Sequence, residues 1–184
     1  MKWEENVRRV TPYTPGEQPQ KEGIIKLNTN ENPYAPAPGV ARALAGLDAE
    51  SFRLYPAFPE KTDLAKALSA QYHIGTDQIF IGVGSDDVLS LAFMTFFQSD
   101  RPVFFPDVTY SFYDVWADVH RIPYETKALD ENFQICPGDY MQPNGGVVFP
   151  NPNAPTGVLM PLDRVEEIVR NNREAVVIVD EAYI

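Results

Sequence analysis

Four short stretches carry residues whose types and order suit chemistry. Asp180 closes the apolar run Val176 to Val179, which places its carboxylate at the margin of a core. A half-buried carboxylate needs a cation or a strong donor beside it. A metal is one such cation, although no histidine lies near it in sequence and Glu181 is the only adjacent acid. A protonated ring nitrogen of a heteroaromatic ligand also fits, and Tyr183, three residues on, is spaced to reach an oxygen on the same ring. The plainer reading has Asp180 capping the next turn. Gly84-Ser85-Asp86 follows an apolar run and opens a helix, where free N–H groups and the helix dipole attract phosphate. An ordinary N-cap is the alternative there, and two acids, Asp86 and Asp87, weigh against a dianion. Asn151 to Gly157 (NPNAPTG) is too rich in turn formers and amides to be mere linkage, and Asn153 offers an amide donor. Tyr110 offers a flat face for stacking on a ring.

The elements that must position these residues are readable in outline. Ile79 to Val83, Val103 to Phe105, Pro123 to Lys127, Val147 to Phe149 and Val176 to Val179 are short apolar or β-favouring runs of strand type. Between them stand helical stretches at Val88–Phe97, Tyr110–Val119 and Pro161–Asn171. Such alternation predicts an α/β fold, a mostly parallel sheet with helices on both faces. Ligands of that architecture sit beyond the carboxyl ends of the strands. Residues 84–86, 110, 151–157 and 180–183 all follow strands, so the topology gathers them along one edge. Upstream, helices are predicted at Pro38–Leu47 and Glu60–Tyr72, with Gly75 as a stop. Residues 1–36 read as an N-terminal arm, its middle packed through Ile24, Ile25 and Leu27.

Composition narrows the function classes. The 184 residues carry a net charge of -11, which disfavours nucleic acid and anionic membrane surfaces as partners. One cysteine, Cys136, excludes an internal disulfide framework, and two histidines make a histidine-rich metal centre a poor expectation. No apolar run reaches the roughly 18 residues of a membrane span, and residues 1–10 lack a signal peptide's apolar stretch, so a cytoplasmic protein is expected. The glycine loop is neither a P-loop nor a dinucleotide fingerprint, because Asp87 stands where the third glycine belongs.

The motifs GVGSDDVL, PDVTYSFYDVWA, NPNAPTG and VVIVDEAYI stand in the order found in fold-type I pyridoxal-phosphate aminotransferases, and the chain resembles that family. VRRVTPYTPGEQP, IIKLNTNENPYAPAP and YPAFPEKTDLAKALSAQYHI are similar to the histidinol-phosphate aminotransferase branch. The resemblance implies pyridoxal 5'-phosphate as cofactor, with Asp180 at the pyridine nitrogen. It implies Tyr183 and an asparagine of NPNAPTG at the ring oxygen, Tyr110 stacked on the ring, and Gly84, Ser85 and Asp86 at the phosphate. Tyr55 would reach the neighbouring subunit's phosphate in a homodimer, and Tyr13, Asn30 and Asn32 would lie near substrate. The implied reaction moves an amino group between histidinol phosphate (with imidazole acetol phosphate as its keto partner) and glutamate/2-oxoglutarate in histidine biosynthesis. In domain terms, residues 1–36 would be an arm with part of the small domain and 37–184 the N-terminal portion of the large one.

Three departures stand out. Ala154 occupies the place where the family usually has asparagine before Pro-Thr-Gly, leaving Asn153 as the nearest replacement. Val83 and Asp87 replace the common Asn and Glu of the phosphate loop. The Schiff-base lysine of the family lies beyond the DEAY strand, whereas the last lysine here is Lys127. The sequence therefore reads as the front part of such an enzyme, not expected to transaminate alone and expected to leave apolar surface or strand edges uncovered. Alternatives are an aromatic aminotransferase, a threonine-phosphate decarboxylase-like enzyme, or a non-catalytic cofactor-binding fragment.

Overall fold

The computed structural model describes residues 2–19 and 21–183. The chain divides into two compact units: Thr14–Ile81, and a second unit joining the N-terminal residues through Tyr13 to everything from Gly82 onward.

The second unit is built on a four-stranded sheet. Strands β1 (Val103–Pro106), β2 (Tyr124–Lys127), β3 (Gly146–Pro150) and β4 (Val177–Asp180) lie in the order β2-β1-β3-β4. All three pairings are parallel, in the registers Val103↔Tyr124, Val103↔Gly146 and Val147↔Val177. Side chains alternate across the sheet, as strand geometry requires. Val103, Phe105 and Val148 point to one face, where they pack with Leu89, Phe93, Phe97, Tyr113 and Ala117. These last come from helices α3 (Ser85–Phe96) and α4 (Tyr113–His120), with Phe97 just past the end of α3; α1 (Pro38–Ala45) and α2 (Asp63–Tyr72) belong to the other unit. Phe104, Val147 and Phe149 point to the opposite face, against Tyr140, Met160 and Ile168 of α5 (Leu162–Asn171). Every residue of β1 and β3 is buried, because helices or loops cover both faces. The expected parallel sheet with helices on both sides is the fold observed.

Two glycines permit close approaches at the start of β3. A Cβ on Gly146 would strike the Phe97 ring, and one on Gly145 the Arg101 carbonyl.

In the unit Thr14–Ile81, α1 (Pro38–Ala45) opens with proline at its first position. Helix α2 (Asp63–Tyr72) is capped by the Thr62 hydroxyl, which accepts from the Ala65 N–H at 3.2 Å. His73, in the left-handed conformation, ends α2, two residues before the glycine expected to stop it. Ala65 is the one buried residue among those described in this unit.

Three expectations are corrected. Ile79–Val83 forms no strand: the Ile79 N–H turns back to the Thr76 carbonyl and the Val83 N–H goes to the Asp87 side chain. An apolar run becomes a strand only where another strand takes its backbone groups. The middle of the arm is not packed, since Ile25 and Leu27 are more than four-fifths exposed. Helix α4 begins at Tyr113 rather than Tyr110, because the Tyr110 carbonyl closes a turn onto the Tyr113 N–H at 3.3 Å.

Candidate functional site

A small cleft opens at the carboxyl edge of the sheet, lined by Ser85, Tyr110, Pro150, Ala154, Asp180, Ala182 and Tyr183. Stretches far apart in sequence meet here because each ends or follows a strand of the sheet or opens a helix packed on it.

Gly84 precedes α3 at φ +91°, a left-handed conformation that glycine adopts without strain, and a Cβ there would meet nothing within 4 Å. Among the described residues no side chain caps α3, so the N–H groups of its first turn remain available. Ser85 is the first helical residue rather than the cap. The two acids that argued against an anion both have partners. Asp86 accepts the Tyr110 hydroxyl at 2.6 Å, and Asp87 accepts the Val83 N–H at 2.9 Å.

Tyr110 stands edge-on to Tyr113 at 5.8 Å and tilted against Phe112 at 5.6 Å, which orients its ring on the cleft wall. Burial, then the hydrogen bond to Asp86 and its charge, raise the phenol well above its ordinary range. Tyr13 and Tyr183 lie near enough to add to that shift. Tyr13 stacks on Phe112 with centroids 4.4 Å apart.

Asp180, at the last position of β4, is half-buried. Its Oδ2 accepts the Tyr113 hydroxyl at 2.9 Å and its Oδ1 accepts the Ala182 N–H at 3.1 Å. Tyr113 is fully buried; burial, then the charge of Asp180 and the bond to it, push its phenol up. Sequence reasoning missed this residue, which reads as one more core aromatic on an amphipathic helix.

The loop after β3 is held by its own amides. Asn151 accepts the Met160 N–H at 2.7 Å and donates to the Met160 carbonyl at 3.2 Å. Asn153, 2% exposed, donates to the Val108 carbonyl and to Thr156 Oγ1, both at 3.0 Å, and accepts the Thr109 hydroxyl at 3.1 Å. Both amide hydrogens of Asn153 are thus committed inside the protein, and it is Ala154 that faces the cleft. Thr109, like Tyr113, carried no signal of its role in the sequence.

Tyr55, Asn30 and Asn32 belong to the unit Thr14–Ile81 and are not among the cleft-lining residues. Tyr55 is fully exposed, and the Asn32 side chain accepts the Tyr34 N–H at 2.9 Å. Lys127 is buried at the end of β2, 3.7 Å over the Phe104 ring and 2.7 Å from Glu125, which gives it a structural place.

This donor set suits one kind of ligand. A helix N-terminus beside an unobstructed glycine takes a phosphate, an aromatic wall takes a flat ring, and a carboxylate held by two donors takes a cationic ring nitrogen.

The model of the aminotransferase class I and II family matches residues 22–184, and the chain belongs to that family. The chain is 48% identical over 184 residues to the histidinol-phosphate aminotransferase of Lactococcus lactis subsp. cremoris (strain SK11), covering 100% of this chain and 51% of that protein. It is 52% identical over 183 residues to histidinol-phosphate aminotransferase 1 of Methylococcus capsulatus (strain ATCC 33009 / NCIMB 11132 / Bath), covering 99% and 51%. The chain spans about half the length of the curated relatives it matches. The fold is shared with the crystal structure of histidinol-phosphate aminotransferase from Sinorhizobium meliloti in complex with pyridoxal-5'-phosphate. That likeness has a TM-score of 0.74 at 23% identity, over 84% of this chain and 43% of that one.

Proposed function

We propose that the chain provides the N-terminal part of a pyridoxal-phosphate-dependent aminotransferase, acting on histidinol phosphate and 2-oxoglutarate in the cytoplasm, as a homodimer. The observation that supports it best is the half-buried Asp180 carboxylate, held by Tyr113 and Ala182 in a cleft it shares with Ser85, Tyr110 and Tyr183. When bound, the cofactor supplies a protonated ring that draws in the electron pair left on the substrate carbon.

The rest falls to side chains of this protein. Asp180 holds the proton at the ring nitrogen, because a carboxylate beside a cation favours the charged form of both. Ser85 and the first N–H groups of α3 bind the phosphate, while the bond from Tyr110 and the Val83 N–H occupy the neighbouring acids. Tyr110 covers one side of the ring and Tyr183 donates to its oxygen. Asn153 acts by shaping the loop, tying it to Val108 and Thr109 so that Ala154 borders the cleft. Tyr13, Asn30 and Asn32 contribute to the substrate side, and Tyr55 to the partner subunit's phosphate.

The cofactor assignment is tested by titrating the protein with pyridoxal 5'-phosphate and following visible absorbance. Saturable binding weakened about a hundredfold in Asp180→Asn is expected, and equal binding in both would overturn it. The substrate assignment is tested in the intact protein by 2-oxoglutarate-dependent amino transfer. Histidinol phosphate is expected to exceed phenylalanine and tyrosine at least tenfold in kcat/KM, and a preference for the aromatic amino acids would sink it.

A further inference from the structure

Tyr113 has an uncommon combination of features. It is 0% exposed, its single hydroxyl hydrogen goes to Asp180 Oδ2 at 2.9 Å, and 67 residues separate the two partners in sequence. Its ring is held on several sides: Phe93 stacks at 6.2 Å, Phe105 stands edge-on at 5.8 Å, and Tyr110 stands edge-on at 5.8 Å. A phenol so enclosed cannot swing to a different acceptor without opening the core. The other carboxylate oxygen is held by the Ala182 N–H. Rotating the Asp180 side chain would break both bonds and leave the Tyr113 hydroxyl buried without an acceptor, a penalty that outweighs the net gain of a typical hydrogen bond.

We infer that Tyr113 is a positioning residue for the ring-binding carboxylate: its hydroxyl clamps Asp180 in one orientation and couples that acid to the Tyr110 wall of the cleft. The inference rests on the cofactor reading above and deepens it. The stacking wall and the charged floor of the site are thereby built as one unit on the first residue of α4. Burial and the adjacent charge raise the Tyr113 phenol, which keeps it a donor throughout the ordinary pH range. Among the described residues Tyr113 is the one side chain that bonds to Asp180, so with the Ala182 N–H it fixes the carboxylate's orientation.

The variant Tyr113→Phe keeps the ring and removes only the hydroxyl. With pyridoxal 5'-phosphate labelled with 15N at the ring nitrogen, it is expected to bind the cofactor about tenfold more weakly. The ring nitrogen should release its proton about one pH unit lower than in the unchanged protein. A double-mutant cycle separates clamping from mere packing: in an Asp180→Asn background the loss from Tyr113→Phe should shrink to near nothing, whereas a packing defect would add in full. Additive losses, or an unchanged ring-nitrogen titration, overturn the inference while leaving the cofactor reading intact; absence of saturable binding in the unchanged protein takes down both. Should Tyr113→Phe fail to fold, the unmutated protein carrying 13Cζ-tyrosine gives the answer. The Tyr113 resonance should move on adding the cofactor while that of Tyr140 stays in place, and a stationary Tyr113 resonance counts against the clamp.

Discussion

The two units of this chain make opposite use of their apolar residues. The sheet unit buries Phe93, Phe97, Phe104, Phe105 and Phe149 in two clusters, one on each side of four parallel strands. The unit Thr14–Ile81 buries only Ala65 among its described residues, while Phe52 and Phe58 are each 69% exposed. Its helices α1 and α2 have 8 and 10 residues, lengths at which an isolated helix is marginal in water. The sheet unit therefore holds its carboxyl edge by packing, and the other unit holds its shape by caps and turns. A cleft that needs fixed distances between Ser85, Tyr110 and Asp180 belongs on the first kind of support.

That contrast can be broken or sharpened by experiment. The largest effect is expected from Phe93→Ala, which empties a fully buried ring site and should cost about 3–5 kcal/mol of unfolding free energy. Phe52→Ala, at an exposed position, should stay within about 0.5 kcal/mol. Denaturant midpoints compare the two, and equal losses would erase the distinction between the units.

Alkali supplies the next test. Tyr113 and Tyr140 are buried, burial being the largest cause that raises each phenol in the folded state. An unfolded tyrosine loses its proton near pH 10. Above that pH the unfolded chain carries fewer protons than the folded one, so stability present below about pH 10 is lost as pH rises. Each residue should contribute a fall of about 1.4 kcal/mol per pH unit. Stability curves between pH 9 and 12 should steepen accordingly, and the slope should flatten in Tyr140→Phe.

Smaller effects follow at single contacts. Gly146→Ala drives a methyl group into the Phe97 ring and should cost about 1–3 kcal/mol, visible as a lower melting temperature of the sheet unit. Thr62→Ala removes the cap of α2 and should cost about 1 kcal/mol locally. Hydrogen exchange would register that loss as faster exchange in α2 with β1 and β3 unchanged.

Much of the architecture was legible beforehand because buried parallel strands announce themselves as short apolar runs between turn formers. Val103–Phe105, Val147–Phe149 and Val176–Val179 each proved to be a strand within a residue or so. Ile79–Val83 has the same look, yet strand identity belongs to a pair of segments, and its backbone groups go to a local turn and to Asp87. Ile25 and Leu27 failed as a packing signal for a related reason, since hydrophobicity says that a residue gains from burial without saying what will bury it.

The cleft divides along the same line. Tyr110, Asp180 and Tyr183 are legible from residue type and position after a strand, because the parallel topology sends strand ends to one edge. Gly84 and Ser85 stand there by opening α3, although the apolar run before them is no strand. Tyr113 and Thr109 were not legible, since nothing local distinguishes a core tyrosine from one whose hydroxyl reaches an acid 67 residues away. Asn153 was recognised as an amide in a loop, but whether its hydrogens faced the cleft depended on Val108 and Thr156.

Local chemistry and periodicity, which act along the chain, determined which segments are able to become strands or helices and which residue types stand near the sheet edge. The orientation of Asp180, the inward turn of Asn153 and the pairing of Asp86 with Tyr110 were decided by folding alone. Hydrogen bonds act over about 3 Å, and only the packed sheet brings those partners that close.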